Sequence, residues 1–246
     1  MARANRHFIA GQVWHITQRC HHKQFLLRNQ SDRRRWLYWL YQARRRYGLS
    51  VLNYIVTSNH IHLLVHDHGN DAIPSAMQLI AGRTAQEFNK RQNRSGAFWE
   101  DRYHATAVQT NEHLARCLIY IDLNMVRAGQ VSRPEQWSCS GYHEALHPRQ
   151  RGSRIDMNSL CRLLEFETPG DMLVVRSSMI DAQLAQGVSR RESVWTESVA
   201  VGNLDYALKM RRALAFSNPR RRARDEGSCY SVREPMASYC WQRSTI

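Results

Sequence analysis

Lysine, acidic residues and long apolar runs are all scarce in this sequence. Lysine supplies 3 of the 35 cationic side chains and arginine the other 32, against 21 Asp and Glu. No run of about eighteen apolar residues occurs, which argues against a membrane-spanning helix. The basic N-terminus lacks an apolar core followed by a small-residue cleavage site, so we expect no secretory signal peptide. These absences favour a globular protein of the cytoplasm.

The six cysteines are too scattered for a disulfide framework or a zinc ribbon. None stands in a CxxC pair, and they lie at Cys20, Cys117, Cys139, Cys161, Cys229 and Cys240. Reduced thiols in the cytoplasm are the simpler interpretation. A hydrophobic content of 43% is ordinary for a globular protein and supports a real core.

The excess of positive charge is the first indication of function. Residues 1–150 hold 20 Lys and Arg against 10 Asp and Glu, and residues 151–246 hold 15 against 11. The net charge of +14 attracts polyanions, and the planar guanidinium of arginine suits phosphates and base edges. We therefore expect a nucleic-acid partner, with an acidic membrane surface as the weaker alternative.

The first 130 residues predict alternating strands and helices. Their order is strand (11–19), helix (31–47), two strands (49–67), helix (73–91), a turn followed by a strand (96–109) and helix (111–128). This order favours an α+β fold, specifically a ferredoxin-like sandwich in which helices cover one face of an antiparallel sheet.

The remaining sequence has weaker patterns. Short helical stretches around 156–166 and 203–215 are separated by turn-forming segments and by the basic run 218–227. We expect two units, a catalytic domain at 1–148 and an accessory region at 149–246. The second is predicted to be a mostly helical, partly loose and basic extension.

The segment "SNHIHLLV" (58–65) places two histidines on one face of a predicted strand. Side chains alternate along a strand, so His60 and His62 point the same way and can converge on one divalent cation. The alternative is that both are ordinary polar residues on an exposed face.

The helix predicted at 111–128 has a polar side next to its apolar stripe. Leu114, Leu118 and Ile121 form the stripe, whereas Tyr120 and Asn124 stand one turn apart on another side. This places a hydroxyl beside a neutral oxygen ligand, although Tyr120 could equally be a packing residue with a hydrated tip.

Three segments in this order resemble one family. "SNHIHLLV", "GAFWEDRYH" and "YIDLNMVRAG" are similar to the single-tyrosine HUH transposases, the insertion-sequence-200-like transposase domain, and most to the REP-associated tyrosine transposases. "WHITQR" and "WSCSGYHE" extend the resemblance over about residues 8–146.

The resemblance implies a function and a set of roles. His60, His62 and Asn124 match the metal ligands, for Mg²⁺ or Mn²⁺, and Tyr120 matches the nucleophile. Such proteins cleave and rejoin single-stranded DNA beside hairpins or palindromic repeats, through a covalent 5′-phosphotyrosine and without ATP. The resemblance also implies that the protein is a monomer or homodimer and that it is associated with the nucleoid and not with a membrane.

Two departures from the family pattern concern residues next to the site. Met125 replaces a usual proline, so the helix is expected to run on and to shift Asn124 slightly. Thr57 and Ser58 replace a usual Met-Pro. Both changes leave every reacting group in place but are compatible with reduced activity.

Several cations and one aromatic residue are candidate DNA contacts. They are Arg33, Arg34, Arg44, Arg45, Arg83, Trp99, Arg102 and Arg127. A solvated basic helix face and a packed strand edge are the alternatives. The run Arg220, Arg221, Arg222 and Arg224 could clamp phosphates or be a loose basic segment.

Two other functions remain open. One is a non-catalytic regulator that binds single-stranded nucleic acid on the same scaffold; histidines in place of exposed aromatics on the strands count against it. The other is an HUH replication initiator or relaxase, which the short chain makes less favourable.

Overall fold

A computed structural model of the chain describes residues 8–148, 152–188, 191–215 and 218–234. The strands are β1 (Val13–Arg19), β2 (Ser50–Val56), β3 (His60–His66), β4 (His104–Val108), β5 (Ser198–Gly202), β6 (Arg222–Asp225) and β7 (Tyr230–Arg233). The helices are α1 (Gln30–Tyr47), α2 (Ala72–Arg91), α3 (Glu112–Asp122), α4 (Asn124–Arg127), α5 (Gly141–Leu146), α6 (Met157–Leu163), α7 (Pro169–Ala185), α8 (Val194–Glu197) and α9 (Leu204–Ala213).

The seven strands form one sheet in the order β2-β3-β1-β4-β5-β7-β6. The first four are antiparallel, and their order follows from a β-α-β-β-α-β chain path of the ferredoxin-like type. Strand β5 joins β4 in parallel, and β7 and β6 continue antiparallel beyond it. The predicted α+β fold is confirmed.

Helices cover both faces of this sheet, whereas the sequence predicted one. On the first face α1 packs on α2, and Trp36, Leu40 and Ile80 are buried in its cluster. On the second face Leu118 of α3 is buried with Leu64 of β3. Strand β3 has apolar side chains on both of its faces, so helices have to pack on both sides to bury them.

The C-terminal region adds strands as well as the expected helices. Helices α6 and α9 lie where helical stretches were predicted, but β5 is a fully buried strand beside β4. The basic run 218–227 contains the edge strand β6 and is not simply a loop. The boundary at 148/149 stays a prediction, because residues 149–151 lie outside the described ranges.

The helix that carries Tyr120 is interrupted, contrary to the expectation that it runs on past Asn124. It ends at Asp122, and Leu123 has φ −78° and ψ 4° before the short helix α4 begins. Proline is therefore not required for a break here. The break at Leu123 lies between Tyr120 and Asn124, so it sets the angle between these two side chains.

The described cysteines, which leave out Cys240, are all free and buried. Within the described residues, no helix combines the length and the apolar character that crossing a membrane requires.

Candidate active site

A cleft of about 1010 Å³ opens at one end of the sheet. Thr17 of β1 pairs with His62 of β3 on one side and with His104 of β4 on the other, so these three residues share one face. The cleft is lined by these residues and by Gln18, Arg19, Lys23, Asn59, His60, Glu100, Asp101, Arg102, Tyr120, Asn124, Arg127, Ala128, Val188, Arg191 and Thr196.

The three predicted metal ligands meet in this cleft. The Asn124 Nδ2 atom lies 3.0 Å from His62 Nε2, and the rings of His60 and His62 are 5.1 Å apart. The His60 Nδ1 atom lies 2.7 Å from Asn59 Oδ1 and 2.9 Å from Thr57 Oγ1, so it carries the hydrogen. The lone pair of His60 that could bind a metal ion is therefore on Nε2. A half-turn of the Asn124 amide would put its oxygen in place of its nitrogen.

His15 was not predicted as a site residue, yet it determines how His62 is oriented. Its Nδ1 donates to the Trp195 carbonyl at 2.9 Å, so its Nε2 can only accept. The His62 Nδ1–H donates to that Nε2 at 2.8 Å. The lone pair of His62 is thereby fixed on Nε2, on the Asn124 side.

Burial keeps the three imidazoles neutral. It lowers the pKa of His15 to about 3 and that of His60 to about 4, and it lowers the pKa of His62 well below its usual range. A neutral imidazole offers a lone pair to a metal ion, whereas an imidazolium offers none. At neutral pH, His60 and His62 therefore have the uncharged form that a metal ligand requires.

Tyr120 stands beside these histidines and is only 4% exposed. Its ring centroid is 5.9 Å from that of His62, and the Arg127 guanidinium carbon is 4.3 Å from its centre. Arg127 also donates to the Tyr120 carbonyl. Burial raises the pKa of the Tyr120 phenol, and the positive charges of Arg127 and Arg191 oppose that rise.

A buried ion pair fixes the end of α3. Asp122 accepts from Arg176 of α7 through both oxygens, at 2.8 Å each, and from Asn53 Nδ2 of β2 at 2.9 Å. Asp122 and Arg176 are both buried. The helix carrying Tyr120 is therefore held by the sheet and by the C-terminal region together.

The other predicted DNA contacts are divided between the two faces. Arg102 and Arg127 line the cleft. By contrast, Arg33, Arg34, Arg44 and Arg45 lie on α1 and Arg83 on α2, the helices that cover the other face. Trp99 donates its indole N–H to the Ala81 carbonyl at 3.0 Å. All eight stay predictions as DNA contacts.

Four basic residues of the cleft were not predicted. They are Arg19, Lys23, His104 and Arg191. The sequence indicates Arg19 and His104 only through their position at strand ends, where cleft residues gather. The others lie outside regular strands and helices or in a short turn, and no periodicity marks them.

The donor set suits a hard divalent cation. The described residues contain no group of three or more His, Cys, Asp and Glu side chains that could hold a metal, so a site built on His60 and His62 would take its next protein ligand from the amide of Asn124. Two imidazoles and an amide oxygen, without a thiolate, fit Mn²⁺ or Mg²⁺ better than a structural zinc ion.

Known proteins are similar to this chain in sequence over residues 10–124 and in fold. Residues 10–124 match the sequence model of the family described as "Transposase IS200 like". A solved structure described as a REP-associated tyrosine transposase bound to a REP hairpin is similar, with a TM-score of 0.50 and 19% identity over 60% of this chain and 87% of that one. A candidate transposase from Deinococcus radiodurans R1 gives 0.35 and 14% over 52% and 98%. No curated protein matches the chain.

Proposed function

We propose that this chain cleaves and rejoins single-stranded DNA, on the premise that it belongs, through residues 10–124, to the family of IS200-like transposases. The observation that carries the proposal is the 5.9 Å between the rings of Tyr120 and His62. In this proposal Tyr120 is the nucleophile and the neutral histidines beside it are metal ligands, in a cleft of about 1010 Å³ that is wide enough for a nucleotide.

Tyr120 acts as the covalent nucleophile in this proposal. Its phenolic oxygen forms a bond to the scissile phosphorus, and the bond from phosphorus to the 3′ oxygen breaks. The 3′ oxygen takes up a proton and leaves as a hydroxyl, while the 5′ phosphate stays on the tyrosine. One phosphodiester replaces another, so a 3′-hydroxyl can reverse the step and join DNA.

Arg127 favours the reactive form of Tyr120. Its guanidinium lies over the phenol ring, where positive charge stabilises a phenolate against the cost of burial. The same cation can contact a phosphate oxygen in the cleft.

His60, His62 and Asn124 hold the divalent cation, Mn²⁺ or Mg²⁺. Such an ion polarises a phosphoryl oxygen and stabilises developing charge. The chain orients the ligands for it: Asn59 and Thr57 fix the ring of His60, and His15 fixes the ring of His62.

The substrate in this proposal is single-stranded DNA beside a hairpin. The support is the similar structure, which is described as bound to a REP hairpin, and the positive wall of the cleft formed by Arg19, Lys23 and Arg127.

Tyr120→Phe tests the proposal directly. With Mn²⁺ and a hairpin oligonucleotide carrying a single-stranded flank, the wild-type protein is expected to form a covalent adduct that survives denaturing electrophoresis. The variant should lose the adduct completely and retain hairpin binding within about twofold, because one hydroxyl contributes little to a phosphate-dominated affinity.

Tyr38→Phe is the matched control, since Tyr38 is partly exposed on α1 and should leave the adduct unchanged. An adduct of full yield from Tyr120→Phe would overturn the role of Tyr120. Metal-independent binding with no adduct from the wild-type protein, across hairpin substrates, would favour the non-catalytic regulator.

A further inference from the structure

The outer edge of the sheet carries a group of arginines that the proposed reaction leaves unused. A recess of about 650 Å³ at this edge is lined by Arg211, Pro219, Arg220, Arg221, Arg222, Arg224, Arg233 and Glu234. Six of these eight residues are arginine and one is acidic. Such a density of one charge in a concave surface raises the local concentration of anions.

Part of this charge is already neutralised within the protein. Arg221 pairs with Glu234, and Arg233 lies 3.0 Å from Glu226. Arg220, Arg222 and Arg224 are exposed, and within the described residues their side chains make no ion pair. Three guanidinium groups on or next to strand β6 therefore face solvent with all their donors available.

The register of the sheet shows which face these arginines occupy. Directly paired residues point to the same face, and one row of pairs runs Arg224, Ser231, Val201, Val108, Val13. The three valines are buried in the cluster that contains Tyr120. Arg224, and Arg222 two residues before it, thus lie on the face of the sheet that carries the proposed nucleophile.

The same register places Arg222 toward the catalytic end of the sheet. Arg222 pairs with Arg233, and Arg233 pairs with Ser198. The carbonyl of Ser198 lies 2.8 Å from Nε2 of His104, a residue of the catalytic cleft. Strand β6 is four strands from β1, so about 19 Å separates it from the cleft at the usual strand spacing of about 4.8 Å.

The hairpin formed by β6 and β7 is also attached to the nucleophile's helix. Arg116 of α3 donates to the carbonyl and the hydroxyl of Ser228, at 2.8 Å each, in the turn between these strands. The arginine edge and Tyr120 therefore hold a fixed distance from each other.

We propose that Arg220, Arg222 and Arg224 form a second binding site, for the phosphate backbone of the hairpin stem whose flank enters the catalytic cleft. This rests on the proposed function. A span of about 19 Å corresponds to about 6 base pairs at 3.4 Å each, so only a stem longer than that reaches the arginines.

The substitution Arg222→Gln with Arg224→Gln tests this site, in a metal-free buffer where no cleavage intervenes. With a stem of about 12 base pairs, hairpin affinity should fall about tenfold at 0.1 M salt, and the slope of log K against log salt should decrease by about 1.8. With a stem of about 3 base pairs, the variant should bind as the wild type does.

The control is Arg46→Gln with Arg162→Gln, which removes the same charge from exposed positions on α1 and α6. Equal losses in both variants, or a loss independent of stem length, would overturn the site. So would undiminished DNA binding by the β6 variant together with lost binding to vesicles of anionic lipid. Adduct formation on the short stem tests the proposed function separately, because the β6 variant should retain it there.

Discussion

At the scale of single residues, His15 shows how a side chain acts through its neighbours. It is fully buried, one of its nitrogens is taken by a carbonyl, and the other can only accept from His62. His15 is thus a positioning residue for the proposed metal site. An apolar residue there would leave the His62 Nδ1–H without a partner in a dry environment.

We expect His15→Phe to lower Mn²⁺ affinity by about 10- to 100-fold, the usual effect of removing a partner of a metal-bound histidine. Isothermal titration with Mn²⁺, without DNA, measures this. His15→Gln should recover much of the affinity, because its amide oxygen can accept the same hydrogen bond. If the Phe and Gln variants unfold at the same urea concentration yet bind Mn²⁺ equally, positioning by His15 is wrong.

The contact of His15 with His62 was not predictable from the sequence, whereas the position of His60 and His62 on one strand face was. The two histidines of "HIH" share a strand face by alternation alone, and Tyr120 and Asn124 share a helix side by spacing alone. His15 depends on the Trp195 carbonyl, which is 180 residues away along the chain. No local pattern contains that information.

At the scale of elements, the end of α3 depends on one buried ion pair. Asp122 is joined to Arg176 of α7 by two hydrogen bonds and to β2 by a third. Removing one partner leaves a buried charge uncompensated, which costs far more than the pair contributes when intact.

We expect Arg176→Met to lower the free energy of unfolding by about 3–5 kcal/mol. The double variant Asp122→Leu with Arg176→Leu should lose less than the sum of its single changes. Urea unfolding measures both. The control is Arg133→Met, which breaks ion pairs to Asp181 and Glu135 in which the Arg133 side chain is 42% exposed, and it should cost at most about 1 kcal/mol. A similar small cost for Arg176→Met would contradict this role.

The predicted strands β2 and β3 pair with each other and are neighbours in the sequence, whereas the missed strand β5 pairs with a distant one. Strands β2 and β3 follow each other directly, and both have long apolar or alternating segments. Strand β5 has five residues and pairs with β4, from which a long segment with six described helices separates it. Strand β6 reads "RARD", a segment whose charge gives no indication of a sheet.

At the scale of the whole molecule, the sheet joins the two predicted units. Val201 of β5 is fully buried and packs in the cluster that also holds Val13 and Tyr120. A cluster shared between both parts of the chain couples their unfolding, because neither part can open without exposing it.

We expect Val201→Asp to destabilise the catalytic half and the C-terminal region together, by several kcal/mol, through burial of an unpaired carboxylate. Far-ultraviolet circular dichroism and tryptophan fluorescence should then report a single transition at a lower urea concentration. Val174→Asp makes the same change at a position that is 71% exposed and should have little effect. Two separate transitions in the wild-type protein would instead support independent units divided near residue 148.

The contact between His15 and Trp195 has a consequence for the synthesis of the chain. Strand β1 leaves the ribosome 180 residues before the carbonyl of α8 that orients its histidine. Parallel pairing of β4 with β5 is equally late and slow to form. A nascent or prematurely terminated chain that lacks α8 would therefore carry Tyr120 without the contact that orients His62, and under the proposed function it would leave DNA uncut.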